Sequence, residues 1–352
     1  MKKAFRFSAI GVALSLTIAL VGCGGAKTTE DGYSTELNFY NWTEYMPNSV
    51  MEAFKKEYGI TVNVDTFSSN EELLTKLLAG GTSQYDLSVA THYMVPPFKE
   101  QGLIQEIDKE NITNFDNLDS RYIGLDYDKE NKLSIPYMVS WTAIGVNKDK
   151  YDKEITTFDD LLDTDLADSI VVPDDPREII GIALISQGKD PNSRDKDEIM
   201  GTLDWIKDLS KNIRKYDSDN PKSLFVTGEV KVGYTWNAEI ALAARENPSI
   251  VAVFPDHSLY CIDAFIITNG AKNKREAELF IDFCLRPEIS AMITNDYPYT
   301  NPNAAALPLL GEEYTDNPAV NVPQEIIDKA TMYEDVGEAV TYYEELWNLI
   351  KN

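Results

Sequence analysis

Leu37 to Val89 reads LNFYNWTEYMPNSVMEAFKKEYGITVNVDTFSSNEELLTKLLAGGTSQYDLSV, and its hydrophobic period changes several times. Leu37 to Asn41 alternates with period two, as a half-buried strand does. Val50, Met51, Phe54 and Tyr58 then recur at helical spacing until Gly59 stops the helix. Ile60 to Val64 is the next strand. Ser69 and Glu72 have capping-box spacing, and Leu73, Leu74, Leu77 and Leu78 follow as one stripe ended by Gly80-Gly81. Tyr85 to Val89 is a strand again. Strand–helix–strand–helix–strand in so short a stretch predicts an α/β fold with a doubly wound parallel sheet.

Downstream the theme repeats. Ile170 to Val172, Val230 to Tyr234 and Ile250 to Phe254 are predicted strands. Ile199, Leu203, Ile206 and Ile213 are read as one helix face. Lys274 to Arg286 is an amphipathic helix, with Ala277, Phe280, Ile281 and Cys284 on its apolar side. Val336, Val340, Tyr343, Trp347 and Ile350 mark the last helix. The chain has 352 residues, and ~100–200 residues per domain implies two domains. Two α/β lobes with a cleft between them are expected.

Composition narrows the function. Asp and Glu total 58 against 32 Lys and Arg, a formal net charge of −26. So acidic a surface repels phosphate, which argues against nucleic acid, and it steers cations inward. Two histidines and three cysteines supply little for metal sites or nucleophile–base pairs, so no cofactor, metal or catalytic residue is expected.

The amino terminus reads as an address. Lys2, Lys3 and Arg6 precede an apolar stretch from Phe7 to Val21, shorter than the ~20 residues of a spanning helix. Residues 1–22 are read as a signal peptide. Leu20-Val21-Gly22-Cys23 resembles a bacterial lipobox, which implies a lipid on Cys23 and an extracytoplasmic, membrane-anchored chain. Removing residues 1–22 takes away three basic residues and no acids, so the mature net charge is −29. Gly24 to Asp31 reads as a polar tether, and residues 23–35 are assigned to lipidated Cys and tether. Cys261 and Cys284 fall in different predicted elements and are not expected to bridge.

Polar aromatics and acids cluster at predicted strand ends, where open α/β sheets bind ligands. Trp42-Thr43-Glu44-Tyr45 follows the first strand and Thr91-His92-Tyr93 the third. Asp174-Asp175-Pro176-Arg177-Glu178 follows Val172, Trp236-Asn237 follows the Val230 strand, and Tyr260 to Asp263 opens the run Ala264 to Ile267. Each has a plainer explanation: a packing Trp, an Asp175 N-cap with Glu178 in the first turn, an Asp263 turn cap. Together they suit an alkylammonium ion. Rings attract it by their quadrupole, and carboxylates accept its charge-assisted hydrogen bonds.

The segments FYNWTEYMPNSVMEAFKKEYGI, SNEELLTKLLAGG, YDLSVATHYMV, DDPRE, SDNPKSLFVTGEVKVGYTWN, GAKNKREAELFIDFCLRPE and YTNPNAAA resemble the spermidine/putrescine-binding proteins of bacterial ABC importers, from about Leu37 to the last helix. The resemblance implies a two-lobed, periplasmic-binding-protein-like (type II) fold, with lobe 1 at 36–141 plus 263–308 and lobe 2 at 142–262 plus 309–352. It implies that Asp263 receives one ammonium and that Asp175 and Glu178 receive charge at the other side. Trp42, Tyr45, Tyr93, Trp236 and Tyr299 would line the slot, and Thr43, Thr91 and Ser218 would add polar contacts. Two positions depart from the pattern. Cys261 stands where the family commonly has Trp or Phe, and Tyr333 where some members have an amine-binding Gln.

The expected function is a monomeric lipoprotein, not an enzyme, that passes polyamines to permease subunits. The alternatives are a binder of another organic cation and, from a different class, a secreted glycosidase with paired carboxylates. A structural surface protein would not explain the ligand-type residues at the strand ends.

Overall fold

A computed structural model describes residues 28–351; the signal peptide, Cys23 and the start of the tether lie outside the described residues. Among the described residues eleven strands form one mixed sheet: β1 Glu36–Trp42, β2 Thr61–Phe67, β3 Leu87–Thr91, β4 Ile104–Gln105, β5 Ile135–Asn147, β6 Ile170–Val172, β7 Ile213–Tyr216, β8 Val232–Trp236, β9 Ile250–Val253, β10 Leu259–Thr268 and β11 Thr331–Met332. The order along its main path is β2-β1-β3-β10-β5-β8-β6-β7.

The opening segment forms the expected units. β2, β1 and β3 are parallel, joined by helices Asn48–Tyr58 and Asn70–Leu78. Gly59 ends the first helix at φ 72°, and its N–H bonds Lys55 O; a side chain would strain that left-handed turn. Ser69 caps the second by accepting from Glu72 N at 3.1 Å. The return bond of the capping box is displaced: Glu72 accepts from Ser68 N rather than from Ser69 N.

β5 is the longest strand, and the sequence pattern did not reveal it. All thirteen of its residues are buried, so its sequence, IPYMVSWTAIGVN, shows no regular alternation of apolar and polar positions. Residues 135–141 pair antiparallel with β10, whereas residues 142–147 pair with β8 and β9. One strand thus leaves a half-sheet made of β2, β1, β3 and β10 and enters another made of β8, β6, β7 and β9. Each half has its own core. Phe39, Phe54, Phe265 and Phe280 pack in the first, where the Phe54 and Phe280 rings meet edge to face at 4.9 Å. Ile144, Ile179, Tyr234 and Tyr343 pack in the second. Burying each such side chain contributes about 1.5–3 kcal/mol.

Other boundaries move for identifiable reasons. The run from Ile199 to Ile213 breaks at Gly201-Thr202 into helices Lys196–Met200 and Leu203–Ser210, and Ile213 opens β7 instead. The helix from Lys274 ends at Cys284, because Pro287 starts a new helix and restricts the residue before it. Asp263 does not open its strand but sits in the middle of β10, opposite Met138, where the register shifts. Residues 28–34, expected within the tether, form a turn docked on the first half: Thr28 bridges Ser34, Ser34 N donates to Glu276, and Arg275 lies over the Tyr33 ring at 4.0 Å.

Cys261 and Cys284 are free thiols. Among the described residues no helix is long and apolar enough to cross a membrane.

Candidate functional site

The carboxyl ends of β1, β3, β6 and β8 converge on a cleft between the half-sheets, with an empty volume of about 970 Å³. That figure includes space open to solvent. All twelve residues singled out above for ligand contact line it: Trp42, Thr43, Tyr45, Thr91, Tyr93, Asp175, Glu178, Ser218, Trp236, Asp263, Tyr299 and Tyr333. So does Cys261, which shares the cleft-facing side of β10 with Asp263, as a period of two requires. Tyr260 reaches the cleft as well, stacked on Trp141 at 4.7 Å.

Asp263 is 4% exposed and accepts three hydroxyl hydrogen bonds. Thr91 gives one to Oδ1 at 2.9 Å, and Ser140 and Tyr45 give two to Oδ2 at 2.9 and 2.5 Å. Burial raises its pKa, and the three hydroxyls oppose the rise. Thr91 is aimed by Asn70, whose amide donates to the Thr91 hydroxyl at 3.1 Å and to the Tyr93 hydroxyl at 2.9 Å. Tyr45 is wedged edge-on between Tyr137 and Tyr299. The carboxylate is therefore held in one orientation with lone-pair capacity to spare.

A second acidic group lies across the cleft at the start of helix Pro176–Ser186. Asp175 is its N-cap and accepts from Arg177 N at 2.7 Å and Glu178 N at 3.3 Å. Glu178, one turn in, accepts from the Tyr234 hydroxyl at 2.7 Å. The capping explanation and the ligand explanation thus hold for the same residues. Burial pushes Glu178 up to about 7, helped by the Asp175 charge and opposed by Tyr234. Asp175 is raised too, by burial, against the two N–H groups and the Arg177 charge.

Arg177, buried behind this end, spends its guanidinium hydrogen bonds on Glu334 O and Asn192 rather than on a carboxylate. It stacks near the Tyr93 and Tyr333 rings at 5.5 and 5.4 Å. The Tyr333 hydroxyl and the Trp42 indole N–H are buried without a protein partner. His92 is structural: Nδ1 accepts from Ile262 N and Nε2 faces Tyr333 O at 2.6 Å. Burial holds its pKa down at about 4, so the ring is neutral.

Ser140, Asn70, Arg177, Tyr234 and Glu239 also belong to the site, and the sequence reading did not select them. A serine amid PYMVSWTAIGV was the available signal for Ser140. Asn70 follows the N-cap Ser69, a position that carries no ligand signal in the sequence; the fold buries it beside Thr91 and Tyr93.

The architecture and the cleft define a two-lobed solute-binding protein with an acidic, ring-lined site suited to ammonium groups. Residues 49–322 match the bacterial extracellular solute-binding protein family, and the chain belongs to it. It is 37% identical over 317 residues to the spermidine/putrescine-binding periplasmic protein of Salmonella typhimurium, across 90% of this chain and 91% of that one. It is similar to the solved spermidine/putrescine ABC transporter substrate-binding protein PotD of Streptococcus pneumoniae, with TM-score 0.78, 30% identity and coverage of 90% of this chain and 99% of that one. It is also similar to the Tp0655 (TpPotD) lipoprotein of Treponema pallidum, with TM-score 0.80, 27% identity and coverage of 90% and 99%.

Proposed function

We propose that this chain captures a polyamine, putrescine or spermidine, in the cleft and delivers it to the permease of an ABC importer. One observation carries the reading. Asp263, Asp175 and Glu178 share a ring-lined cleft, and among the described residues none forms an ion pair with a lysine or arginine. Asp263 and Glu178 are buried, and buried carboxylates without an ion-pair partner are costly; a diammonium ligand supplies that partner while its methylenes lie along the rings. The names of the relatives support the same class. Calorimetric titration with putrescine, cadaverine, spermidine and spermine tests it; heats no larger than dilution for all four would sink it.

Within this reading the twelve lining residues are the ligand contacts and the site is not catalytic. The paired-carboxylate glycosidase is disfavoured, because the acids lie beside cation-friendly rings. Release of sugar from a glycoside by the purified protein would reverse that judgement. Trp236, half-buried at the end of β8, stacks on the ligand. Trp236→Leu keeps apolar area but loses the quadrupole, so affinity falls by about 0.5–2 kcal/mol with the fold intact. Unchanged affinity would return Trp236 to a packing role.

The two halves act as lobes that close on the ligand, and β5 and β10 serve as hinge strands. Solution scattering gives a smaller radius of gyration with saturating ligand; identical curves count against closure. Lipid on Cys23 would anchor the protein outside the cytoplasm, as the lipobox and the lipoprotein relative suggest.

A further inference from the structure

We propose that Tyr216, Trp347 and Asp174 form a second site for an alkylammonium group, at the rim of the cleft, and that the chain's own Lys351 fills it. The inference does not depend on the polyamine reading of the cleft. It assigns a site outside the ligand contacts named for that reading.

Three elements build the cage. Tyr216 is the last residue of β7, Asp174 follows β6, and Trp347 lies on the helix Val340–Lys351. The two rings meet edge to face, with centroids 5.7 Å apart and planes at 86°. Both are partly buried against the core of the second half, so packing holds them in place. The Lys351 Nζ lies 3.5 Å from the Tyr216 ring centre, 4.9 Å from that of Trp347 and 2.8 Å from Asp174 Oδ1. An ammonium within about 6 Å of a ring face is attracted by the ring quadrupole, and the carboxylate adds a charge-assisted hydrogen bond. Rings at right angles beside a carboxylate are the same kinds of group that the cleft offers.

The cage is open to dissolved amines. Asp174 and Ser218 both line the cleft, and Asp174 N donates to Ser218 Oγ at 3.0 Å. The Asp174 side chain is 51% exposed and that of Lys351 is 32% exposed, so solvent reaches the ion pair. Lys351 is therefore a tethered competitor. It stands about one helical turn beyond Trp347, and so short a tether presents its ammonium at an effective concentration in the millimolar range. A free amine takes the cage only by overcoming that local concentration. Removing the lysine should open the cage to primary alkylammonium ions.

The test is a putrescine titration followed by the indole N–H resonances of isotope-labelled protein, one for each of its five tryptophans. Trp347 reports the cage, and Trp42 and Trp236 report the cleft. A Trp347→Phe variant assigns the cage signal. Lys351→Ala empties the cage with the best helix former, whereas Lys351→Arg keeps a cation in it. In Lys351→Ala the Trp347 resonance should go on moving, and then saturate, after the cleft signals have stopped changing. Its dissociation constant should be about tenfold below that in the unaltered protein and in Lys351→Arg. n-Butylamine should move the resonance as well, and the uncharged n-butanol should not. A Trp347 resonance unmoved by putrescine in Lys351→Ala overturns the inference and leaves Lys351 as a cation favoured at a helix carboxyl end. Equal dissociation constants in Lys351→Ala and the unaltered protein overturn it too, as does an equal response to n-butanol. The cleft is read separately. Trp42 and Trp236 resonances unmoved in the unaltered protein remove the polyamine from the cleft, whatever Trp347 does.

Discussion

Asp263→Asn should weaken polyamine binding by about 2–5 kcal/mol, the largest effect expected of any single substitution here. The carboxylate is buried and pinned by Thr91, Ser140 and Tyr45, so water cannot replace it against a desolvated ammonium. Asn is nearly isosteric, but its amide carries no charge and turns a donor toward the ligand or toward one of the three hydroxyls. The ligand-free fold should tolerate the change. Burial raises the Asp263 pKa, which means that ionised Asp263 costs the empty protein stability that a neutral Asn does not. Thermal melts therefore separate two outcomes. A melting temperature near that of the unaltered protein together with lost affinity places the loss in the site. Binding of spermidine and putrescine within threefold of the unaltered protein would remove Asp263 as an anchor.

The site was more legible in the sequence than parts of the fold, and the reason is physical. A ligand site in an open sheet collects at strand termini, so Trp42, Thr91, Asp175 and Trp236 could be picked out by position before any contact was known. Residues that act through other residues left no such mark. Asn70 and Ser140 matter because Thr91 and Asp263 are nearby in space, at separations of 21 and 123 residues in sequence. In the fold, alternating strands such as β1 were readable and β5 was not, because burial on both faces erases the period. The Ile199–Ile213 run failed for a different reason. Helical spacing persisted by coincidence across Gly201-Thr202 into a residue that belongs to β7.

Polyamine affinity should fall about thirtyfold from pH 8 to pH 5.5, and Glu178 is the cause. In the ligand-free protein burial and the neighbouring Asp175 push Glu178 up to about 7. Below that pH it carries a proton, and an ammonium ligand must displace the proton to be bound by a carboxylate. The ligand amines, near ~10 like lysine, stay charged throughout. The other groups facing Glu178 do not account for the slope. Tyr234 and Tyr333 are held well above their ordinary value, and burial holds His92 down at about 4. Asp175 is raised too, so the fall steepens toward the acid end. The sign for the empty protein is opposite. An acid whose pKa is raised by folding contributes fully below its unfolded pKa of ~4.3. That contribution is lost as pH rises through about 7. The ligand-free melting temperature should therefore drop with rising pH while affinity increases. Glu178→Gln should bind more weakly at pH 8 and lose most of the pH slope. Titrations in two buffers of different ionisation heat should show close to one proton released per ligand near pH 6 in the unaltered protein, and far less in the variant. An unchanged slope in Glu178→Gln would move the titrating group elsewhere, with Glu239 beside Lys222, also at about 7, as the next residue to substitute.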